Sequence, residues 1–329
     1  MTASARVFTA VKWIAVMTCL VCGGTAYAQH PQTLRAPKGY SVSEVRGGLY
    51  FLTDGAYNTM FLVSEAGVIA VDPLPTLGAK YLQAVADITA KPVTHIVYSH
   101  EHLDHIGAAA LFPKGAQIIA QRETATLLAR RKDPRRPLPN AVFDDTYRLV
   151  VGNQVLELRY TGANHMDGNI LIYAPKQRVL MLVDVAYPGY MPYPGLGVAT
   201  DVPGYLSIHD DALAYDFTEL VAGHVDRPGT RRDVEISRDF TKDLMRTTLR
   251  LLAEKPFPAF LRDRRADLSR TTWFLHDDYE TDRIEACYAQ LIDRWAPVLS
   301  GAQRSLRTHC RAMIVAAAIQ LPPAGAPNL

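Results

Sequence analysis

Between residues 40 and 230, short apolar runs alternate with segments whose apolar positions recur every three or four residues. TMFLVS (59–64) and GVIAVD (67–72) are strand-like runs joined at Glu65-Ala66, the pattern of a hairpin. Across 76–90, Leu77, Tyr81, Leu82, Val85 and Ile88 fall at helical spacing. VTHIVYS (93–99) reads as a buried strand, HIGAAALF (105–112) as a short helix, AQIIAQ as a strand and 121–131 as a helix. Strands follow at YRLVV and QVLELRY. A second hairpin joins NILIYAP (169–175) to RVLMLVDV (178–185), and TELVAGH (218–224) is the last strand. Strands interleaved with helices and hairpins predict a layered α/β protein with a mixed sheet. Beyond 230 strand signals stop. Residues 231–254, 279–296 and 302–320 carry helical spacing, broken by KPFP and APVLSG. MIVAAAI in the last of these is too short to span a membrane.

Composition changes this picture little. The chain has 329 residues, 48% hydrophobic and 21% charged, with a formal charge of +2. That is a globular profile whose even balance gives no support for a nucleic-acid partner. The densest basic stretch, RRKDPRRP at 130–137, reads as a solvated loop because of its two prolines. The first 28 residues differ. Arg6 and Lys12 precede the apolar run WIAVMTCLV, and small residues lead to AYA at 26–28. This is the layout of a secretory signal cut after Ala28, giving a mature chain from Gln29 that is periplasmic or secreted and not inserted in a membrane. An uncleaved anchor is the alternative, and the residues before Cys19 and Cys22 match a lipoprotein cleavage box poorly. Losing Arg6 and Lys12 reduces the basic residues from 35 to 33, equal to the 33 acidic ones. Cys287 and Cys310 remain, an even pair able to form one disulfide or to stay as two thiols.

Candidate chemistry concentrates in YSHEHLDHIGA (98–108). A strand delivers the chain to His100. His102 lies two residues on and points the same way in extended backbone. Asp104 and His105 stand at the turn into a helix. Nitrogen and carboxylate donors at a strand end suit a divalent ion such as zinc. Further donors stand at other strand ends: His165 in TGANHMDG, Asp184 near the end of 178–185, and His224 in VAGH.

H-x-H-x-D-H followed by spaced His, Asp and His resembles the metallo-β-lactamase-fold superfamily of metallohydrolases over roughly residues 40 to 230. The resemblance implies an αββα sandwich, here spanning 29–230, with 231–329 as a C-terminal helical extension. It implies a two-metal site at one edge of the sheets, with His100, His102 and His165 on the first ion and Asp104, His105 and His224 on the second. Asp184 would bridge both, and Asp72 in VIAVDP would stand just behind. The implied activity is hydrolysis of an ester, thioester, lactone or amide in a small molecule by a hydroxide bridging two zinc ions, with Asp104 orienting it. Asp at 184 with His at 105 looks more like the glyoxalase II and lactonase branches than β-lactamase proper. His at 102 argues against the di-iron reductase branch. A β-lactamase proper stays open as an alternative, as does a persulfide dioxygenase with one iron, which shares nearly all these ligands, or a metal-binding redox-accessory protein.

Other residues carry weaker signals. Tyr187, Tyr190 and Tyr193 in DVAYPGYMPYPGLG follow Asp184 and form a candidate substrate loop, with a half-packed turn as the alternative. His30, His95, His209, His276 and His309 lack the strand-end pattern and read as core or surface histidines. Glu101, on the opposite side of the extended segment, is expected to face solvent or to be structural.

Overall fold

The computed structural model describes residues 36–263 and 272–321, all within one compact unit, Gln32–Leu329. The expected signal peptide, Cys19, Cys22 and His30 lie outside the described residues.

Two mixed sheets face each other. The first holds β1 (Ser41–Arg46), β2 (Leu49–Thr53), β3 (Asn58–Ser64), β4 (Gly67–Val71), β5 (Val93–Val97), β6 (Gln117–Gln121) and β7 (Ala141–Phe143) in sequential order. Its first four strands pair antiparallel, and β4 to β7 pair parallel. The second sheet runs β13-β12-β11-β10-β9-β8, from β8 (Thr146–Val151), β9 (Gln154–Arg159), β10 (Leu171–Ala174), β11 (Val179–Met181), β12 (Glu219–Val221) and β13 (Gly229–Thr230). Only β11 and β12 are parallel in it.

Period-two alternation sorts side chains into layers. Met60, Leu62, Ile69, Val71, Ile172 and Met181 fill the space between the sheets. Phe61, Val68, Ala70 and Ile96 turn the other way, toward α1 (Ala79–Ala86) and α3 (Arg122–Arg131). Leu171, Tyr173 and Leu180 face α5 (Val202–Leu213), α6 (Arg231–Glu254), α8 (Thr272–Trp295) and α9 (Ala302–Ile319). The result is the αββα order, with C-terminal helices packed on the second sheet.

Several elements differ from the sequence reading. The helix read at 105–112 begins earlier, as α2 (Leu103–Ile106), and ends in a 3₁₀ turn at Ala109–Leu111. The helix read at 279–296 starts at Thr272. β1, β2, β7, α5 and a short α7 (Phe257–Asp263) are additions. The short α4 (Pro194–Val198) contains left-handed backbone at Gly195, Leu196 and Gly197. Cys287 and Cys310 are joined in a disulfide that ties α8 to α9. The basic stretch 130–137 is not simply a solvated loop, because Arg136 is 8% exposed and bound to Glu101. Among the described residues no helix is long and apolar enough to cross a membrane.

Candidate metal centre

All seven residues picked from the sequence converge at one end of the two sheets. His100, His102, His165 and Asp184 form one set, and Asp104, His105 and His224 a second, each with donor atoms within 4.8 Å of one another. Asp184 reaches into both. Its Oδ2 lies 3.5 Å from His100 Nε2, 3.2 Å from His165 Nε2, 3.2 Å from His105 Nε2 and 4.0 Å from His102 Nδ1. Its Oδ1 lies 2.8 Å from His224 Nε2. Asp104 Oδ2 is 3.5 Å from His105 Nε2 and 3.9 Å from His224 Nε2.

Local structure explains each placement. β5 ends at Val97, the chain bends at Ser99, His100 and Glu101 where the sequence reads as extended, and His102 is extended again as it leads into α2 (φ −61°, ψ 141°). Ser99 is gripped from behind by Asp72: its N–H donates to Oδ1 at 2.7 Å and its hydroxyl to Oδ2 at 2.6 Å. The Ser99 hydroxyl also lies 2.9 Å from His100 Nδ1, leaving Nε2 to face the cluster. Asp72 thus stands behind the site as the resemblance implied. Asn164 Oδ1 accepts the His165 N–H at 2.7 Å. Asn58, which sequence reasoning missed, donates to the His224 carbonyl at 2.7 Å and anchors that residue to β3. Asp184 itself has φ 62°, a left-handed conformation that turns its carboxylate back from the end of the 179–183 segment.

Burial sets the electrostatics. It holds His100 well below the usual imidazole range, with the charges of neighbouring His105 and His102 adding to the effect. It also lowers His165 to about 4. Burial alone would lower His105 too, but the surrounding carboxylates, Asp184 first and then Asp104 and Asp72, together outweigh it and lift that imidazole to about 9. Asp184 would be raised by burial, and the surrounding imidazoles, His105 first, hold it well below the carboxylate range instead. Asp72, fully buried, is pushed up to about 6.

The donors fit divalent ions. His100 Nε2, His165 Nδ1 and His105 Nδ1 are buried without a hydrogen-bond partner, and His105 Nε2 and Asp184 Oδ1 meet only other donors of the cluster. Leaving such groups unsatisfied costs about 1–3 kcal/mol each. A cation coordinated by imidazoles and a carboxylate would relieve several at once, and the donor set suits zinc or iron.

Gly223 makes the packing possible. A Cβ there would lie 2.8 Å from His105 Cε1 and 2.5 Å from Val183 Cγ1, and the backbone is not left-handed. Gly223→Ala is therefore expected to push the His105 ring out of the second set and to lower the divalent metal bound per chain. Metal analysis of the purified variant against the parent checks this, and parent-level metal would refute it.

The cluster floors a cleft of about 550 Å³ lined also by Tyr57, Leu103, Tyr187, Tyr193, Gly197 and Val198. Tyr187 and Tyr193 thus stand at the site, whereas Tyr190 lines an adjoining cavity with Met191, Val225 and Ser300. Tyr57, its ring 4.6 Å from that of His224, was missed because a lone tyrosine before a strand carries no pattern. Of the remaining histidines, His209 meets Ser237 Oγ at 3.0 Å and His309 accepts the Leu196 N–H at 3.0 Å, both buried. His95 pairs with Thr94. His276 stands with Asp277 and Glu280 in a group on α8, away from the cleft-lining residues. Glu101 is buried and structural rather than solvent-facing.

A family model described as Metallo-beta-lactamase superfamily matches residues 52–240, more than half of the chain. Over 150 residues the chain is 35% identical to the 2,4-dinitroanisole O-demethylase subunit alpha of Nocardioides sp. (strain JS1661), covering 44% of this chain and 46% of that protein. It is 25% identical over 183 residues to the metallo-beta-lactamase type 2 of Elizabethkingia meningoseptica, covering 52% of this chain and 70% of the relative. Among solved structures, the inverting sec-alkylsulfatase Pisa1 from Pseudomonas sp. superposes with a TM-score of 0.60 at 18% identity, over 86% of this chain and 51% of that one. The chain spans about half the length of the demethylase subunit and of the alkylsulfatase. The structural likeness is one of fold.

Proposed function

The chain belongs to the metallo-beta-lactamase superfamily, and from that premise we propose that it is a secreted, binuclear zinc hydrolase of small molecules. The observation that carries this reading is the convergence of two donor sets that share Asp184 at the floor of an open cleft. Bound divalent ions would supply Lewis acidity and a water ionised near neutral pH. The chain's own residues do the rest. His100, His102 and His165 would hold one ion, and Asp104, His105 and His224 the other. The Asp104 side chain, 44% exposed, faces the cleft, where it can accept a proton from the attacking water and orient it. Tyr57 and Tyr193 offer ring faces and hydroxyls to hold the body of the substrate, and the buried Tyr187 backs the cleft wall beside His224. Secretion is supported by the leader pattern at 1–28 and by the buried Cys287–Cys310 bond.

Esters, thioesters, lactones and amides all suit this arrangement. An aryl methyl ether is a second reading, favoured by the tyrosine-lined cleft and by likeness to the dinitroanisole demethylase subunit. Hydrolysis would give a phenol and methanol, with water as the only co-reactant. The test is metal analysis of the neutral-purified mature protein, followed by a panel of thioester, lactone, phosphoester, β-lactam and dinitroaryl methyl ether substrates. About two zinc per chain with turnover of a panel member is expected. One iron per chain with oxygen consumption would replace the hydrolase by an iron oxygenase.

A further inference from the structure

Glu101 sits between His100 and His102, yet it is not part of the cleft lining. It is 1% exposed. A carboxylate so placed costs several kcal/mol to desolvate unless it is paired and hydrogen-bonded. Two arginines from the stretch 130–137 supply the pairing. Arg131 donates from Nε and Nη2 to Glu101 Oε1 at 3.2 and 2.9 Å. Arg136 donates from Nη1 to Oε2 at 2.7 Å, and the same Nη1 donates to the main-chain carbonyl of Glu101. Arg136 is in turn steadied by Asp133, whose Oδ2 accepts from its Nε at 3.2 Å.

The position of this clamp matters more than its strength. From Val97, where β5 ends, to Leu103, where α2 starts, the chain has no ladder of its own. Tyr98 is held by its N–H on the Ile119 carbonyl and its hydroxyl on the Pro137 carbonyl. Ser99 is held by Asp72. At Glu101 the arginine pair takes over, gripping side chain and backbone of the residue that spaces the two imidazoles. A peptide held at both its carbonyl and its side chain has little freedom to rotate, so the flanking histidines have little as well.

We infer that the Glu101–Arg136–Arg131 set is a positioning device for the metal centre: it fixes His100 and His102 in ligating geometry before an ion arrives. Glu101 contacts neither ion nor substrate and acts through its neighbours. The entropy of aligning two imidazoles is then lost on folding, and ion binding does not have to supply it. This rests on the metal-binding reading of the cluster.

The test compares the full-length protein with Glu101→Gln, which keeps the shape and removes the charge, and with Arg131→Ala, whose guanidinium is 56% exposed and whose loss leaves Arg136 in place. Metal-free samples are titrated with Zn²⁺ against a chromophoric chelator and with Co²⁺ by visible absorption, alongside melting of the apo form. Glu101→Gln is expected to weaken binding at the tighter site about 10–100-fold and to shift the Co²⁺ bands; Arg131→Ala is expected to show a smaller change in the same direction. A purely structural role would lower the apo melting temperature and leave affinity and spectrum unchanged, and affinities within twofold of the parent would overturn the inference. If Glu101→Gln does not fold, Arg131→Ala decides alone, an unchanged affinity and spectrum counting against the clamp. A parent protein that binds neither Zn²⁺ nor Co²⁺ would overturn the metal-centre reading and this inference with it. Parent binding with unaltered variants overturns the inference alone.

Discussion

If the protein is the binuclear hydrolase proposed above, Asp184→Asn is expected to remove at least one of the two ions and to reduce hydrolysis about a thousandfold or more, equivalent to ~4 kcal/mol of lost transition-state stabilisation. The reason lies in the position of one carboxylate. Its Oδ2 is within 4.0 Å of nitrogens on His100, His102, His105 and His165, and its Oδ1 is 2.8 Å from His224. It is 4% exposed, so its charge is poorly screened. Asparagine has nearly the same shape and tolerates the left-handed backbone at φ 62°, which alanine would strain. The substitution therefore removes charge with little change of conformation. Inductively coupled plasma analysis and steady-state rates on the best panel substrate check the outcome, with circular dichroism to confirm the fold. Parent-level metal and a rate within tenfold of the parent would mean that Asp184 does not bridge the two sets.

Replacing both Cys287 and Cys310 by serine is expected to cost about 3 kcal/mol of stability, on a chain-entropy basis for a cross-link over a 23-residue separation. For a chain of this size the melting temperature should fall by roughly 4–5 °C. The bond is fully buried between α8 and α9, in the cluster that includes Phe240, Leu291, Leu306 and Met313. The effect should reach the cleft. Thr308 Oγ1 accepts the Gly195 N–H and His309 Nδ1 accepts the Leu196 N–H, each at 3.0 Å, so α9 holds the turn that carries Tyr193, Gly197 and Val198 into the cleft wall. KM should therefore rise more than kcat falls. Scanning calorimetry of the double variant checks the stability, and a melting temperature within 2 °C of the parent would refute it.

Much of the site could be read from the sequence because its signals are local. The H-x-H-x-D-H spacing places donors just past a strand end and on the turn into a helix, although the chain bends at 99–101 rather than staying extended, and His165, Asp184 and His224 each follow an apolar run. Elements were missed where the local signal points the wrong way. In α5, Pro203 and Gly204 look like helix breakers, yet the proline occupies the first turn, where its missing N–H is harmless, and Asp201 caps the Gly204 N–H. β1 alternates weakly because it lies at a sheet edge with most of its residues partly or fully exposed. The stretch 130–137 looked solvated because arginines next to prolines usually are; only the fold brings Glu101 within reach of Arg131 and Arg136.

The sequence by itself determined the donor types, most of the strands that end at them and a layered α/β class, since side-chain alternation and ligand chemistry are properties of neighbouring residues, while the αββα order followed from the family resemblance. Tertiary structure alone decided that Asp184 lies between the two donor sets, that Glu101 is buried against two arginines, and that Tyr57 shares a cleft with Tyr187 and Tyr193. Such pairings join segments far apart in the chain. They are settled by which faces the two sheets bury against each other and against their helices, and the order of residues along one segment carries no record of that.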